Sequence, residues 1–343
     1  MLRTLPRRIR SAHSRRTGRI ALQVGLAGAV AVGVLSGCGE EPPLTTPEGK
    51  LISTSTTRIA DVNVVSADRD FARTCLAPTA PDAGKSDVAR IVVTDPALLD
   101  AICGLGIGPK VVAVTAAAGS VPAYLGPQLT GVPAVGTSPD AAAVASAKPD
   151  VVLTTPETAA SAKAFRTAKV ETIAPGSWQE RFQSVASALG RSQAGEELLD
   201  EFTTEATKTG RRMDAAHNEV SLVRFGANSE MIAGTDSFGG QILSLVGVQR
   251  PGPQRHGQQT TLSDKTFNDA DGDLILVSFQ GDAGLAHGKE VLLSDRWLDM
   301  GAPTWKRVMI VNDDVWYRSS GLAAGWLVLN DIKGSLDGNS AQF

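Results

Sequence analysis

Tyrosine, cysteine and histidine are scarce in this chain: two, three and four residues among 343. Each scarcity excludes a chemistry. His217, His256 and His287 stand far apart, with no H-x-x-x-H spacing, so a helix-borne metal site is not expected. No G-x-S-x-G is present: Thr235-Asp236 precedes Ser237 where a nucleophile elbow needs glycine. Gly104-Leu-Gly-Ile-Gly-Pro follows a helical pattern rather than a strand, and Pro109 stands where a helix should open, so it is no dinucleotide loop. The longest apolar stretch, Ile20 to Leu35, has about sixteen residues, too few for a comfortable membrane span. Catalysis therefore has little to rest on. We expect no enzyme and no resident cofactor or metal.

What is present begins with an export signal. Arg3, Arg7, Arg8, Arg10, Arg15, Arg16 and Arg19 precede the apolar stretch without one acidic residue. The stretch ends in Leu35-Ser36-Gly37-Cys38, which resembles a bacterial lipobox with Cys38 as the acylated residue. Residues 1–37 are thus expected to be a lipoprotein signal peptide, and residues 38–57, rich in Pro, Thr, Ser and Glu, a tether to the outer face of the cytoplasmic membrane. Losing seven arginines takes the formal charge from −3 to −10, which argues against a nucleic-acid partner. Cys75 and Cys103 remain, an even pair in an exported chain. We expect one disulfide, the alternative being two separate buried thiols.

The centre of the chain is helical. Ser177 and Glu180 form a capping-box pattern, followed by Trp178, Phe182, Val185, Ala186 and Leu189 at helical spacing and a terminating Gly190. A second run, from Ser192 to Met213, carries a narrow apolar stripe and predicts a helix of roughly 35 Å. On either side, short apolar runs alternate with helical patterns. Before it come Ile91-Val92-Val93, Val111 to Val114, Val132 to Val135 and Val151-Val152-Leu153. After it come Val220 to Phe225, Leu274 to Ser278, Val308 to Val311 with Val315-Trp316-Tyr317, and a last helix from about Leu322 to Lys333. The pattern is α/β: two Rossmann-like lobes (58–176 and 218–343), each a mostly parallel sheet flanked by helices, joined by linking helices (177–217), with a cleft between the lobes. An ordinary long surface helix inside one domain is the alternative.

Several segments carry a family resemblance. They are Arg90-Ile-Val-Val with Ala101-Ile-Cys-Gly-Leu-Gly-Ile-Gly, then Val132-Pro-Ala-Val-Gly, Lys148-Pro-Asp-Val-Val-Leu, Ser237-Phe-Gly-Gly-Gln-Ile-Leu and Val315-Trp-Tyr-Arg. Their order resembles the helical-backbone class of substrate-binding lipoproteins that serve ABC importers of ferric siderophores, haem and cobalamin, in its actinobacterial iron-siderophore form. The resemblance implies a monomer that captures a ferric siderophore and delivers it to a permease. Haem is the runner-up ligand, and an envelope lipoprotein without transport is the rival class.

Such a ligand needs arginines for charge and flat aromatics for packing. Trp316, Tyr317 and Arg318 offer both, provided the strand has ended before Ser319-Ser320-Gly321. Arg224 and Asn228 lie at the end of the first strand of the second lobe, and Arg255 and His256 in a polar loop. Tyr124, in a Pro/Gly-rich loop, and Trp297 complete the candidates. Trp316, Tyr317 and Trp297 have core packing as their alternative, Tyr124 surface packing, and the Arg255–His256 loop plain surface. Thr137 and Ser138 stand where some relatives carry an arginine, and Arg166 is a poor substitute. Exposed Asp140 and Glu290 are candidate permease contacts.

Overall fold

The computed structural model describes residues 62–336; the signal peptide, the tether and Cys38 lie outside them. The described chain opens with a two-residue strand, β1 (Asn63–Val64), and a strap through residues 65–75. It then enters the N-terminal lobe. There β2 (Ile91–Val93), β3 (Val111–Val114), β4 (Val151–Thr154) and β5 (Lys169–Thr172) form an all-parallel sheet in the order β3-β2-β4-β5. Ile91, Val92 and Val93 are buried on both faces, as a continuous β-branched run requires. The strand expected at Val132–Val135 reduces to a single bridge, Val114 to Ala134. Pro133 sits inside it without a backbone N–H, so no ladder extends. β5 takes its place, an exposed edge strand whose one apolar residue, Val170, gives no run to recognise.

Helix α1 (Leu99–Gly104) follows β2, and a disulfide joins its Cys103 to Cys75 of the strap. Helix α2 (Trp178–Ala188) starts with the expected box: Glu180 N–H donates to Ser177 Oγ at 3.2 Å, and Ser177 N–H to Glu180 Oε2 at 2.8 Å. Helix α3 (Ser192–Arg212) is the long link, about 32 Å at 1.5 Å per residue. Its buried stripe includes Phe202, Ala206, Thr209 and Gly210. Gly210 is there for contact: a Cβ at this position would lie 1.7 Å from the carbonyl oxygen of Val246.

The C-terminal lobe contains β6 (Val220–Gly226), β7 (Ser229–Ile232), helix α4 (Phe238–Val246), β8 (Thr260–Thr261), β9 (Leu274–Phe279), helix α5 (Gly281–Leu292), β10 (Val308–Ile310) and helix α6 (Leu322–Leu336). Sheet order is β1-β10-β9-β6-β7-β8, parallel except for β7 and β8. β1 therefore belongs to this sheet, which corrects the N-terminal lobe's expected start at residue 58.

The expected strand through Val315-Trp316-Tyr317 is instead one turn of π-helix, Asp314–Arg318. The long helix is not the only tie between the lobes. One apolar core runs from Ile91 of the first lobe to Ile332 of α6. Helix α6 packs on α1 of one lobe and on α4 of the other, and the strap crosses from β10 to the N-terminal lobe.

Candidate ligand-binding cleft

Parallel strands β6, β9 and β10 end together, and open α/β sheets bind ligands beyond such ends. On β6, Val220 and Leu222 face the core shared by both lobes, while Val223 and Phe225 face the outer core. Arg224 follows the first set by alternation, one turn of the pleat from the strand's end. Its partner in register is Ser278 of β9. Beyond β10, Asp313 closes the group. Arg224 Nε and Nη2 donate to the two Asp313 oxygens at 2.7 Å each, and Ser278 Oγ donates to Oδ1 at 3.0 Å. The fork-to-fork geometry is the strong form of this pair.

Tyr317 completes the cluster. The guanidinium carbon of Arg224 lies 5.1 Å from the centre of its ring, within cation–π range. The phenol oxygen is buried without a hydrogen-bond partner, and burial pushes its pKa up. Arg250 lies close enough to favour the phenolate's charge. Only 4% of Arg250 is exposed. Its Nη2 donates to Ala233 O at 2.7 Å and to Gln254 Oε1 at 2.6 Å, while Nε and Nη1 have no partner. Burial lowers its pKa to about 10. Three buried polar atoms, the Tyr317 hydroxyl and Nε and Nη1 of Arg250, thus have unused hydrogen-bonding capacity.

Beside this cluster is a cavity of about 320 Å³. Val64 of β1 with Ser66, Arg69 and Phe71 of the strap form one wall; Phe279, Asn312 and Asp313, from the ends of β9 and β10, form another. Asp313 is thus shared between the cavity and Arg224.

The other candidates go elsewhere. Trp316 is fully buried, and its indole N–H donates to Asp331 Oδ2 at 2.8 Å. Trp297 is core, packed on Phe225 and Phe267. Tyr124 does not overhang the cleft: it is buried, and its hydroxyl donates to Asp100 Oδ2 at 2.9 Å. Arg318 is exposed and paired with Asp314 at 2.9 Å, i to i+4. Arg255 pairs with Glu219 at 3.0 Å, one residue before β6 begins, at the opposite end of that strand from Arg224. His256 is exposed, and its carbonyl accepts from Thr235 N–H at 2.9 Å. Asn228 is exposed in the β6–β7 turn.

In the first lobe the threonines at the strand ends bond one another. Thr94 Oγ1 lies 2.7 Å from Thr154 Oγ1 and 2.6 Å from Thr158 Oγ1. Thr94, Thr115 and Thr154 are buried, so they offer no open hydroxyl surface to a ligand. Among the described residues, no group of three or more His, Cys, Asp or Glu is placed to hold a metal ion.

A profile of the periplasmic binding protein family matches residues 91–314. The chain belongs to that family. Its members bind solutes, and this chain is a substrate-binding protein rather than an enzyme. A relative from Bacillus subtilis (strain 168), named a probable siderophore-binding lipoprotein, YfiY, is 27% identical over 271 residues, covering 71% of this chain and 81% of that protein. The fold resembles unliganded FhuD2 from Staphylococcus aureus, with TM-score 0.59 and 17% identity over 72% of this chain and 98% of that one. It also resembles the periplasmic heme-binding protein RhuT from Roseiflexus sp. RS-1, in its apo form, with TM-score 0.54 and 24% identity over 74% and 99%.

Sequence reading missed Arg250, Asp313, Phe71 and Phe279. Asp313 had a signal, a polar Asn312-Asp313-Asp314 run directly after an apolar strand. Arg250 had none: it follows an ordinary helix-ending Gly247, and only the fold buries it.

Proposed function

We propose that this protein captures a ferric siderophore outside the cytoplasmic membrane and passes it to the permease of an ABC importer. The observation that carries the reading is the Arg224–Tyr317 pair at the carboxyl ends of the C-terminal strands, beside a cavity walled by Phe71 and Phe279, with Arg250 buried behind it. Cationic forks and aromatic faces suit a large, partly apolar, anionic chelate. The named activity of the YfiY relative supports the same ligand class, and its description as a lipoprotein supports acylation at Cys38. Iron is cargo here, held by the chelate, so the protein supplies no ligand to it. Asp140, exposed, is the proposed permease contact. Glu290 is also exposed but lies in the last turn of α5, at the end of the lobe away from the cleft, and is set aside.

Haem is the weaker reading. A tyrosine ligand to haem iron must reach it and ionise. Tyr124 is engaged with Asp100, and burial pushes the phenols of both Tyr124 and Tyr317 up.

The test is a titration of the purified protein with ferric hydroxamate, catecholate and carboxylate chelates and with haemin, followed by tryptophan emission. Saturable quenching by one chelate class, weakened by Arg250→Gln and Arg224→Gln, supports the proposal. A Soret shift with haemin alone transfers it to haem. Silence with all of them leaves an envelope protein without transport.

A further inference from the structure

Trp305 is 78% exposed, whereas Trp178, Trp297 and Trp316 are buried and Trp326 is largely covered by Phe202. It is not on a loose loop. It ends the short helix Gly301–Thr304, where Trp305 N–H bonds to Gly301 O at 3.1 Å, Lys306 N–H to Pro303 O at 3.0 Å and Arg307 N–H to Ala302 O at 2.8 Å. An ordered turn thus holds a large amphipathic ring in water. Leu293, at the end of α5, is 60% exposed. Helix α5 leaves the carboxyl end of β9, and the chain re-enters the sheet at Val308, so Leu293 and Trp305 both lie on the path back to the sheet's amino-terminal edge, its base.

The chain's own anchor leads to that same end. β1 is parallel to β10, with Asn63 opposite Met309, so Val62 lies beside Val308, three residues from Trp305. Cys38 precedes Val62 by 24 residues, which limits the span between them to about 85 Å. A lipid on Cys38 is therefore attached through the base of the C-terminal lobe, while the cleft lies at the opposite ends of the same strands.

We propose that this base rests on the bilayer, with Trp305 and Leu293 in the headgroup layer and Arg307 against phosphate. The inference depends on the lipoprotein reading of Cys38. Tryptophan suits the interface because its ring is apolar and its N–H stays wet. Asp271 and Asp273 are committed to backbone N–H groups: Asp271 accepts from Gly301 at 2.7 Å and Ala302 at 3.0 Å, and Asp273 from Glu219 at 2.8 Å. Glu290, Asp295 and Asp299, beside Leu293 and Trp305, are exposed and offset Arg307. Apolar insertion, rather than net charge, is then the attractive force, and binding should not require anionic lipid. In this pose the cleft opens away from the membrane, ready to capture, and delivery to a permease requires the body to turn over on its tether.

The acylated chain, reconstituted in phosphatidylcholine vesicles with and without brominated acyl chains, tests it. The emission difference between the wild-type chain and Trp305→Ser isolates the Trp305 signal. The expected result is a blue-shifted component quenched by the brominated lipid, absent from Trp305→Ser and reduced in Leu293→Ser. Both positions are exposed, and circular dichroism checks that the variants stay folded. An unquenched, water-like Trp305 signal on protein that remains vesicle-bound overturns the proposal. A blue shift without lipid that grows with protein concentration assigns the face to a second copy and also overturns it. Mass spectrometry of Cys38 separates these outcomes from failure of the underlying reading: an unmodified Cys38 removes the anchor itself.

Discussion

Asp100, on the first helix of the N-terminal lobe, accepts the backbone N–H of Ala323 at 2.9 Å, 223 residues further on, at the start of the helix that closes the other lobe. The same carboxyl accepts from Ala324 N–H at 3.0 Å and from the Tyr124 hydroxyl at 2.9 Å. One lobe thus caps a helix whose far face packs in the other. Asp100→Ala should leave three buried donors unpaired and destabilise the fold by about 3 kcal/mol, read from urea denaturation.

Burial pushes the Asp100 carboxyl above its ordinary value near 3.8, against the pull of its three donors. The folded state then binds the proton more readily than the unfolded chain. Stability from this group is fully present below about pH 3.8 and is lost as pH rises through the folded pKa. Wild-type protein should therefore lose its margin over Asp100→Asn as pH rises from 4 towards neutrality. A margin that instead grows with pH would show the donors outweighing burial.

Gly321 permits this contact. A Cβ there would lie 2.1 Å from Asp100 Oδ1. Gly321→Ala should push the carboxyl off the helix terminus and cost about 1–3 kcal/mol, although the substitution itself removes no side chain. Pairing it with Asp100→Ala should give much less than the sum of the two, because both act on one junction.

Much of this architecture was legible in the sequence because it rests on local signals. The capping box at Ser177, the apolar runs at Ile91 and Val220 and the stripe of α3 each declare themselves within a few residues. The disulfide followed from counting. The site was less legible, for physical reasons. Trp316 and Tyr317 are neighbours in sequence, but a π-turn sends one to Asp331 and the other to Arg224. Arg255 looked like a ligand arginine and pairs with Glu219; Arg250, five residues earlier, looked like nothing and is buried beside Tyr317. Burial of a polar side chain depends on long-range packing, which no short motif records.

The Cys75–Cys103 bridge ties the strap to α1 across 28 residues. On chain-entropy grounds its loss costs about 3–4 kcal/mol. Cys75→Ser/Cys103→Ser should lower the thermal midpoint accordingly. Ligand affinity should fall less than stability, because Phe71 is also held by packing against the Ala123–Leu125 turn.

Tyr317→Phe separates stability from binding. Its hydroxyl is buried and unpaired in the fold, so removing it should leave stability unchanged or raise it by up to about 1 kcal/mol. If that hydroxyl bonds the ligand, affinity falls at the same time. A variant that loses stability would instead place a fixed partner on the hydroxyl and remove it from the ligand's path.

The Arg224–Asp313 pair sets the charge the cleft offers. With the pair intact, the fork of Arg224 is already occupied, and Arg250 carries the surplus positive charge. An anionic chelate must share Arg224 with Asp313, share Arg69 of the cavity wall with Asp331, or draw on the buried Arg250. Asp313→Asn keeps the shape, retains one oxygen for Ser278 and releases the guanidinium. Affinity for a negatively charged ferric chelate should then rise about tenfold, equivalent to about 1.4 kcal/mol, while a neutral ferric hydroxamate changes little. Added salt should erode the gain, since it is coulombic. If Asp313→Asn weakens both chelates alike, Asp313 serves to hold Arg224 in position under the guest, and the ion pair is scaffold rather than selector.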